Sequence, residues 1–157
     1  DQRECTPGTN PSVFDLGETQ VGLAICFDVL YDSVIWEGAQ GGAEVFMLQT
    51  NNADFRETDE NLQQLAFARM RAIETGRSVV NISTVGTSQV MGPDGTTIDE
   101  LPAAEPGAML TDVELRTGLT PAVVLGPWIN ALALWGGFGA LAAVGLIDLV
   151  RRRTARA

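Results

Sequence analysis

The apolar positions of this chain fall into short continuous runs, then a helical stripe, then one long block. Val13-Phe14-Asp15-Leu16 reads as a short strand that ends in a turn at Gly17-Glu18. Val21 to Cys26 and Val45 to Gln49 are unbroken apolar runs, as expected of strands buried in a sheet. Between them, Asp28 to Gly38 predicts a helix with Val34 and Ile35 on its inner face, ended by Gly41-Gly42. Asn51 to Arg56 is polar and reads as a loop.

A second helix follows. Thr58 suits its cap, and Asp59 and Glu60 suit its first turn. Leu62, Ala66, Met70 and Ile73 recur at helical spacing, and Gly76 fits the stop. Val79 to Ile82 and Ser88 to Met91 predict strands. Pro93-Asp94-Gly95 predicts a turn, Thr96 to Ile98 the return strand of a hairpin, and Ala108 to Val113 a last strand. This alternation implies a layered α/β or α+β domain.

Beyond residue 121 the pattern changes. Trp128 to Ile147 carries one polar side chain, Asn130. At about 1.5 Å per residue, those 20 residues span roughly 30 Å, the hydrocarbon thickness of a bilayer. Pro127 suits the helix start, Trp128 the interface, and Arg151-Arg152-Arg153 with Arg156 a cytoplasmic flank. The expected division is a soluble domain over 1–120, a transmembrane helix over 121–150 and a basic cytoplasmic tail over 151–157. One crossing then places residues 1–120 on the periplasmic or extracellular side. The alternative is an apolar core helix of a soluble protein.

Charge follows the same division. Residues 1–120 hold 19 Asp/Glu and 6 Arg, whereas residues 121–157 hold Asp148 and four Arg. So acidic a body argues against nucleic acid as a partner. All ten basic residues are Arg, with no Lys and no His. Ser-His-Asp and Cys-His catalysis within the chain is excluded, as is His-ligated zinc. No metal site and no cofactor is expected. The amino terminus lacks the apolar core of a signal peptide and reads as mid-loop, so the chain is expected to begin inside a larger protein.

Two cysteines are present. Cys5 lies in a polar loop with Pro7 and Gly8, and Cys26 ends the apolar run over Val21 to Cys26. A disulfide between them is one possibility in an oxidising compartment. Cys26 also stands where a strand meets a helix, a position that exposes a side chain and favours a thiolate. Position alone favours a small buried hydrophobe.

Four motifs bear on that choice. Val21-Gly22-Leu23-Ala24-Ile25-Cys26-Phe27-Asp28 resembles the nucleophile strand of the nitrilase, or carbon-nitrogen hydrolase, superfamily. Ala43 to Asn52, Gln64 to Arg77 and Met91 to Gly95 resemble that superfamily's following strand and loop, its "ARMRAIE-x-GR" helix and its late hairpin. The resemblance covers about residues 12–115 and implies a partial α-β-β-α sandwich. Within the superfamily the chain is most similar to the apolipoprotein N-acyltransferase branch. Gly118-x-Thr120-Pro121 and Gly126-Pro127-Trp128 resemble that branch's entry into a final transmembrane helix.

This resemblance implies acyl transfer from a phospholipid donor to the diacylglyceryl-cysteine of an apolipoprotein acceptor, through a thioester on Cys26. It implies a multi-pass protein of the cell membrane, with a base Glu and an oxyanion Lys upstream. The chain holds no Lys, so it reads as an incomplete catalyst. Asp28 stands where the family commonly has Glu and is expected to orient groups around the thiol, although an acidic residue at a helix start has the same appearance. Phe27 stands where Tyr is frequent. Asn51, Asn52 and Phe55 match a substrate-contacting loop in which Asp54 replaces Trp. Arg69, Arg71, Glu74 and Arg77 are expected to form structural ion pairs. Two other readings are a membrane-tethered amidase or nitrilase and a membrane-anchored binding module without catalysis.

Overall fold

The computed structural model describes residues 12–55 and 58–154. Cys5 and the last residues of the basic tail lie outside them. Contacts divide the chain into one unit ending at Val123 and a second beginning at Val124.

The first unit is a six-stranded sheet in the order β1 (Val13–Asp15), β2 (Gln20–Ile25), β3 (Val45–Thr50), β4 (Ser78–Ser83), β5 (Ser88–Met91) and β6 (Thr97–Leu101). The central trio β2, β3 and β4 is parallel, and the flanking pairs are antiparallel. Helices α1 (Asp32–Gln40) and α2 (Glu60–Thr75) are the crossovers that parallel strands require. Ala24, Phe46, Leu48, Val79 and Met91 form the sheet side of the core, with Ile35, Trp36, Leu65, Ala68 and Ala72 from the helices. Gly22 is required where the Phe46 ring crosses it, because a Cβ there would lie 2.4 Å from the ring.

The opposite face of the sheet is largely open. Leu23, Ile25, Met47 and Ile82 are exposed on it. A groove of about 470 Å³ runs along this face between Met47, Val80 and Ile82 and the segment carrying Met109, Thr111 and Val113. The described residues thus supply one helix layer and one sheet, half of the expected α-β-β-α sandwich. The apolar runs were read as buried strands, but Leu23, Ile25, Met47 and Gln49 are exposed among the described residues.

Most expected elements are present, including the Asp94 turn and Gly76, which caps α2 in the left-handed conformation at φ 64°. The Asp94 carboxylate accepts from the Thr96 amide and hydroxyl, which holds its pKa below the usual carboxylate value. Thr58 accepts from the Glu60 amide at 3.4 Å, although Asp59 is the residue that precedes the helix.

Five expectations require correction. The helix expected over Asp28 to Gly38 is instead a 3-10 turn, Cys26–Leu30, followed by α1, with Tyr31 extended between them. Arg71 takes the carbonyls of Val29 and Leu30, which a continuous α-helix would need for its own ladder. Ala108 to Val113 is not a strand. Pro106 and Gly107 introduce that segment, and the stretch after it makes isolated bonds to Ser78 and Glu44 instead of a ladder. Leu62, Ala66, Met70 and Ile73 face outward, while Gln64, Leu65, Ala68, Arg71, Ala72 and Thr75 face the sheet. Among the described residues, Arg69 and Arg77 have no carboxylate partner. Arg69 donates to Gly95, Gln89 and Thr97, and the fully buried Arg77 donates to the carbonyls of Ala39, Ala43, Thr75 and Thr117. Burial pulls the Arg77 pKa below the usual arginine value.

The fifth correction concerns the last helix. α3 spans Pro121–Thr154 and so begins six residues before Pro127. Its start is secured within the first unit. Thr120 accepts from the Val123 amide at 3.3 Å and donates to the Glu74 carbonyl. Pro127 has no N–H for the Val123 carbonyl four residues earlier, and the Gln40 amide donates to that carbonyl at 3.4 Å. Within α3, Pro121–Asp148 is long and apolar enough to cross a membrane, and none of its most apolar window is buried.

Candidate active site

The parallel strands β2 and β3 end side by side, and the loops that leave their carboxyl ends carry most of the residues singled out from sequence. Ligands of open α/β sheets bind at such an edge. Cys26 is the first residue after β2, with φ 54°. A non-glycine residue in this left-handed region is strained by roughly 1–3 kcal/mol and persists only where its surroundings impose it. Three contacts impose it here. The Asp28 carboxylate accepts from the Ile25 amide at 2.9 Å and closes the turn across Cys26. Arg71, only 2% exposed, donates to Val29 O at 2.8 Å and to Leu30 O at 2.9 Å from below. Asp32 and Glu74 flank its guanidinium at 2.8 and 2.6 Å.

The Cys26 thiol is free and partly exposed. The helix expected to begin beside it is only a five-residue turn. A side chain from α2 reaches it instead: Gln64 Nε2 lies 3.7 Å from Cys26 Sγ as a donor. Gln64 is buried, and its Oε1 accepts from Asn52 Nδ2 at 2.9 Å. Asn52 Oδ1 accepts from Thr50 Oγ1 at 2.9 Å and Ser83 Oγ at 2.6 Å. A cavity of about 140 Å³ lies beside this network, lined by Asn52, Asn61, Val85, Gly86, Ala103 and Ala104.

Of the positions expected from sequence, Cys26, Phe27 and Asp28 share the 3-10 turn, while Asn51, Asn52 and Phe55 follow β3. Phe27 and Phe55 meet edge to face with ring centroids 6.1 Å apart. Asn51 is exposed and folds its own loop, accepting from the Ala53 amide and the Thr84 hydroxyl. Asn52 is 2% exposed, with both its amide oxygen and its amide nitrogen bonded in the interior. The sequence reading missed Gln64, Thr50 and Ser83. Thr50 and Ser83 lie one residue past the strands expected from sequence, and Gln64 lies on the side of α2 away from its apolar stripe, so no pattern marked them for burial.

A family model for carbon-nitrogen hydrolases matches residues 3–119. The chain belongs to the carbon-nitrogen hydrolase family. Two relatives named apolipoprotein N-acyltransferase extend the match. One, from Mycolicibacterium smegmatis, is 34% identical over 155 residues, 95% of this chain and 26% of the relative. Another, from Ralstonia nicotianae, is 36% identical over 141 residues, 88% of this chain and 26% of the relative. The chain therefore spans about a quarter of the length of these curated relatives.

Among solved structures, a variant amidase from Nesterenkonia sp., with acrylamide added at its active site cysteine, is 28% identical with TM-score 0.54. The alignment covers 65% of this chain and 42% of the amidase. A carbon-nitrogen hydrolase from Helicobacter pylori shares the fold at 18% identity and TM-score 0.56, over 64% of this chain and 43% of the other. The α/β class expected from sequence is thus that of the family.

Proposed function

We propose that this chain is part of an apolipoprotein N-acyltransferase in which Cys26 carries the acyl chain. One observation favours this reading over a family hydrolase. The similarity to the solved hydrolases covers about 65% of the chain, whereas the similarity to an acyltransferase covers 95%, and so includes the apolar α3. An enzyme that takes its acyl group from phospholipid has a reason to carry such a helix, because its donor lies in the bilayer.

In this reading the Cys26 sulfur attacks the ester carbonyl of the phospholipid. A C–S bond forms, the C–O bond breaks, and the lysophospholipid leaves with the proton taken from the thiol. The amino group of a diacylglyceryl-cysteine then attacks the thioester, forming the amide and returning the thiol. Covalent catalysis of this kind divides one difficult transfer into two easier steps. The base and the oxyanion-stabilising cation come from outside this chain, which has no Lys or His. Asp28 holds the turn that presents the sulfur. Phe27 and Phe55 offer an apolar edge for an acyl chain, and Asn51 stands at the mouth. α3 crosses the membrane with Arg151 to Arg153 on the cytoplasmic side.

Product analysis tests the reading. A full-length protein carrying this chain, given phospholipid and a diacylglyceryl-cysteine peptide, should yield the N-acylated peptide. Release of free fatty acid with the peptide unchanged would identify a membrane-tethered hydrolase instead.

A further inference from the structure

We infer that Gln64 is a catalytic residue that stabilises the Cys26 thiolate, and that Asn52, Thr50 and Ser83 form a directional hydrogen-bond relay that orients it. The inference rests on Cys26 being the nucleophile. It adds a donor to the sulfur from within this chain, where the sequence supplies no His or Lys.

The donor and acceptor pairs give the relay its direction. Ser83 Oγ accepts from the Gly86 amide at 2.9 Å and donates to Asn52 Oδ1 at 2.6 Å. Thr50 Oγ1 lies 2.9 Å from the same oxygen and 3.3 Å from the Ile82 carbonyl, the shorter contact being to Asn52. With two hydroxyls on its carbonyl oxygen, Asn52 presents its NH2 to Gln64 Oε1. Gln64 is then fixed in turn, its Oε1 toward Asn52 and its NH2 toward Cys26 Sγ. Every link donates toward the sulfur. Chained donors polarise one another, and in a buried setting the terminal N–H becomes a stronger donor to an anion. A hydrogen bond to the charged form favours that form. The reverse arrangement would face a carbonyl oxygen to the thiolate and destabilise it.

Burial supports the same conclusion. Gln64 and Asn52 are 6% and 2% exposed, in positions where apolar residues would pack at no polar cost. Polar groups kept there form a satisfied network that ends on one atom, the thiol sulfur. A Gln retained only for packing has no need of that final contact.

The test is the alkylation rate of Cys26 by iodoacetamide at neutral pH in the full-length protein. It is read by mass spectrometry of Glu-specific peptides, which separate Cys26 from Cys5 as an internal reference. Gln64→Leu should slow Cys26 alkylation by about tenfold or more, the worth of one hydrogen bond to a charged acceptor. Gln64→Glu, nearly isosteric, should slow it at least as much, because a carboxylate replaces the donor. Gln64→His, which restores an N–H, should recover part of the rate. Asn52→Leu should produce a smaller loss. The sign carries the decision, since a merely structural role would leave alkylation unchanged or raise it as packing loosens. Unchanged or faster alkylation in both Gln64→Leu and Gln64→Glu would overturn the inference. Normal acyl transfer by Cys26→Ser would instead overturn the nucleophile assignment, a distinguishable failure.

Discussion

The two sides of α2 invert the usual order of a surface helix. Toward the sheet it presents Gln64, Arg71 and Thr75 among small apolar residues, and outward it presents Leu62, Phe67, Met70 and Ile73. An amphipathic helix ordinarily does the opposite. The inward polar residues are each occupied: Gln64 reaches the thiol, Arg71 carries the turn beneath it, and Thr75 bonds its own helix. The inner side therefore acts as scaffolding for the site as well as core. On the outer side Arg69 is committed to Gly95, Gln89 and Thr97, but the apolar side chains there hold no part of the site. Those apolar side chains form a surface that water disfavours, together with the open sheet face. Polarity in this chain reports what a residue holds more faithfully than where it lies.

Substitutions on the two sides should separate sharply. The largest effect is expected at Arg71. Arg71→Met keeps the volume but leaves the Val29 and Leu30 carbonyls without this donor and removes the cation beside Glu74. Each buried acceptor left without a donor costs about 1–3 kcal/mol. Thermal unfolding should register that loss, and the turn bearing Cys26 should become protease-sensitive. A variant as stable as the parent would remove Arg71 from the account. The smallest effect is expected on the outer side. Leu62 is 56% exposed, so Leu62→Gln should change unfolding by less than about 0.5 kcal/mol if that side meets water. A loss above about 1.5 kcal/mol in the full-length protein, the scale of a buried apolar side chain, would show that residues outside this chain cover it.

The same contrast explains what the sequence revealed. Strands and helix ends were legible because local chemistry sets them: the apolar runs at Val21 and Val45, the turn at Asp94 and the stop at Gly76. Cys26, Phe27 and Asp28 were legible through a motif, and their place on one turn beside Phe55 follows from β2 and β3 being parallel neighbours. The period of α2 was legible, but its orientation was not. Hydrophobicity assigns Leu62, Met70 and Ile73 to the inside, and only tertiary contacts show that buried polar groups took that place. The break at Tyr31 was hidden for a related reason. It depends on Arg71, some 40 positions along the chain, capturing carbonyls that a local reading assigns to the helix. α3 was legible from length and composition, its start at 121 included, but Pro127 was misplaced at the helix start because the Gln40 contact to Val123 is long-range.

The central claim is that Cys26 carries the acyl group, and one measurement addresses it directly. Full-length protein carrying this chain would be incubated with phospholipid and no acceptor, digested, and its peptides weighed. The account predicts an acyl adduct on the peptide containing Cys26, released by neutral hydroxylamine as a thioester requires, and absent from Cys26→Ser. An adduct on any other residue, or undiminished acyl transfer by Cys26→Ser, would contradict it.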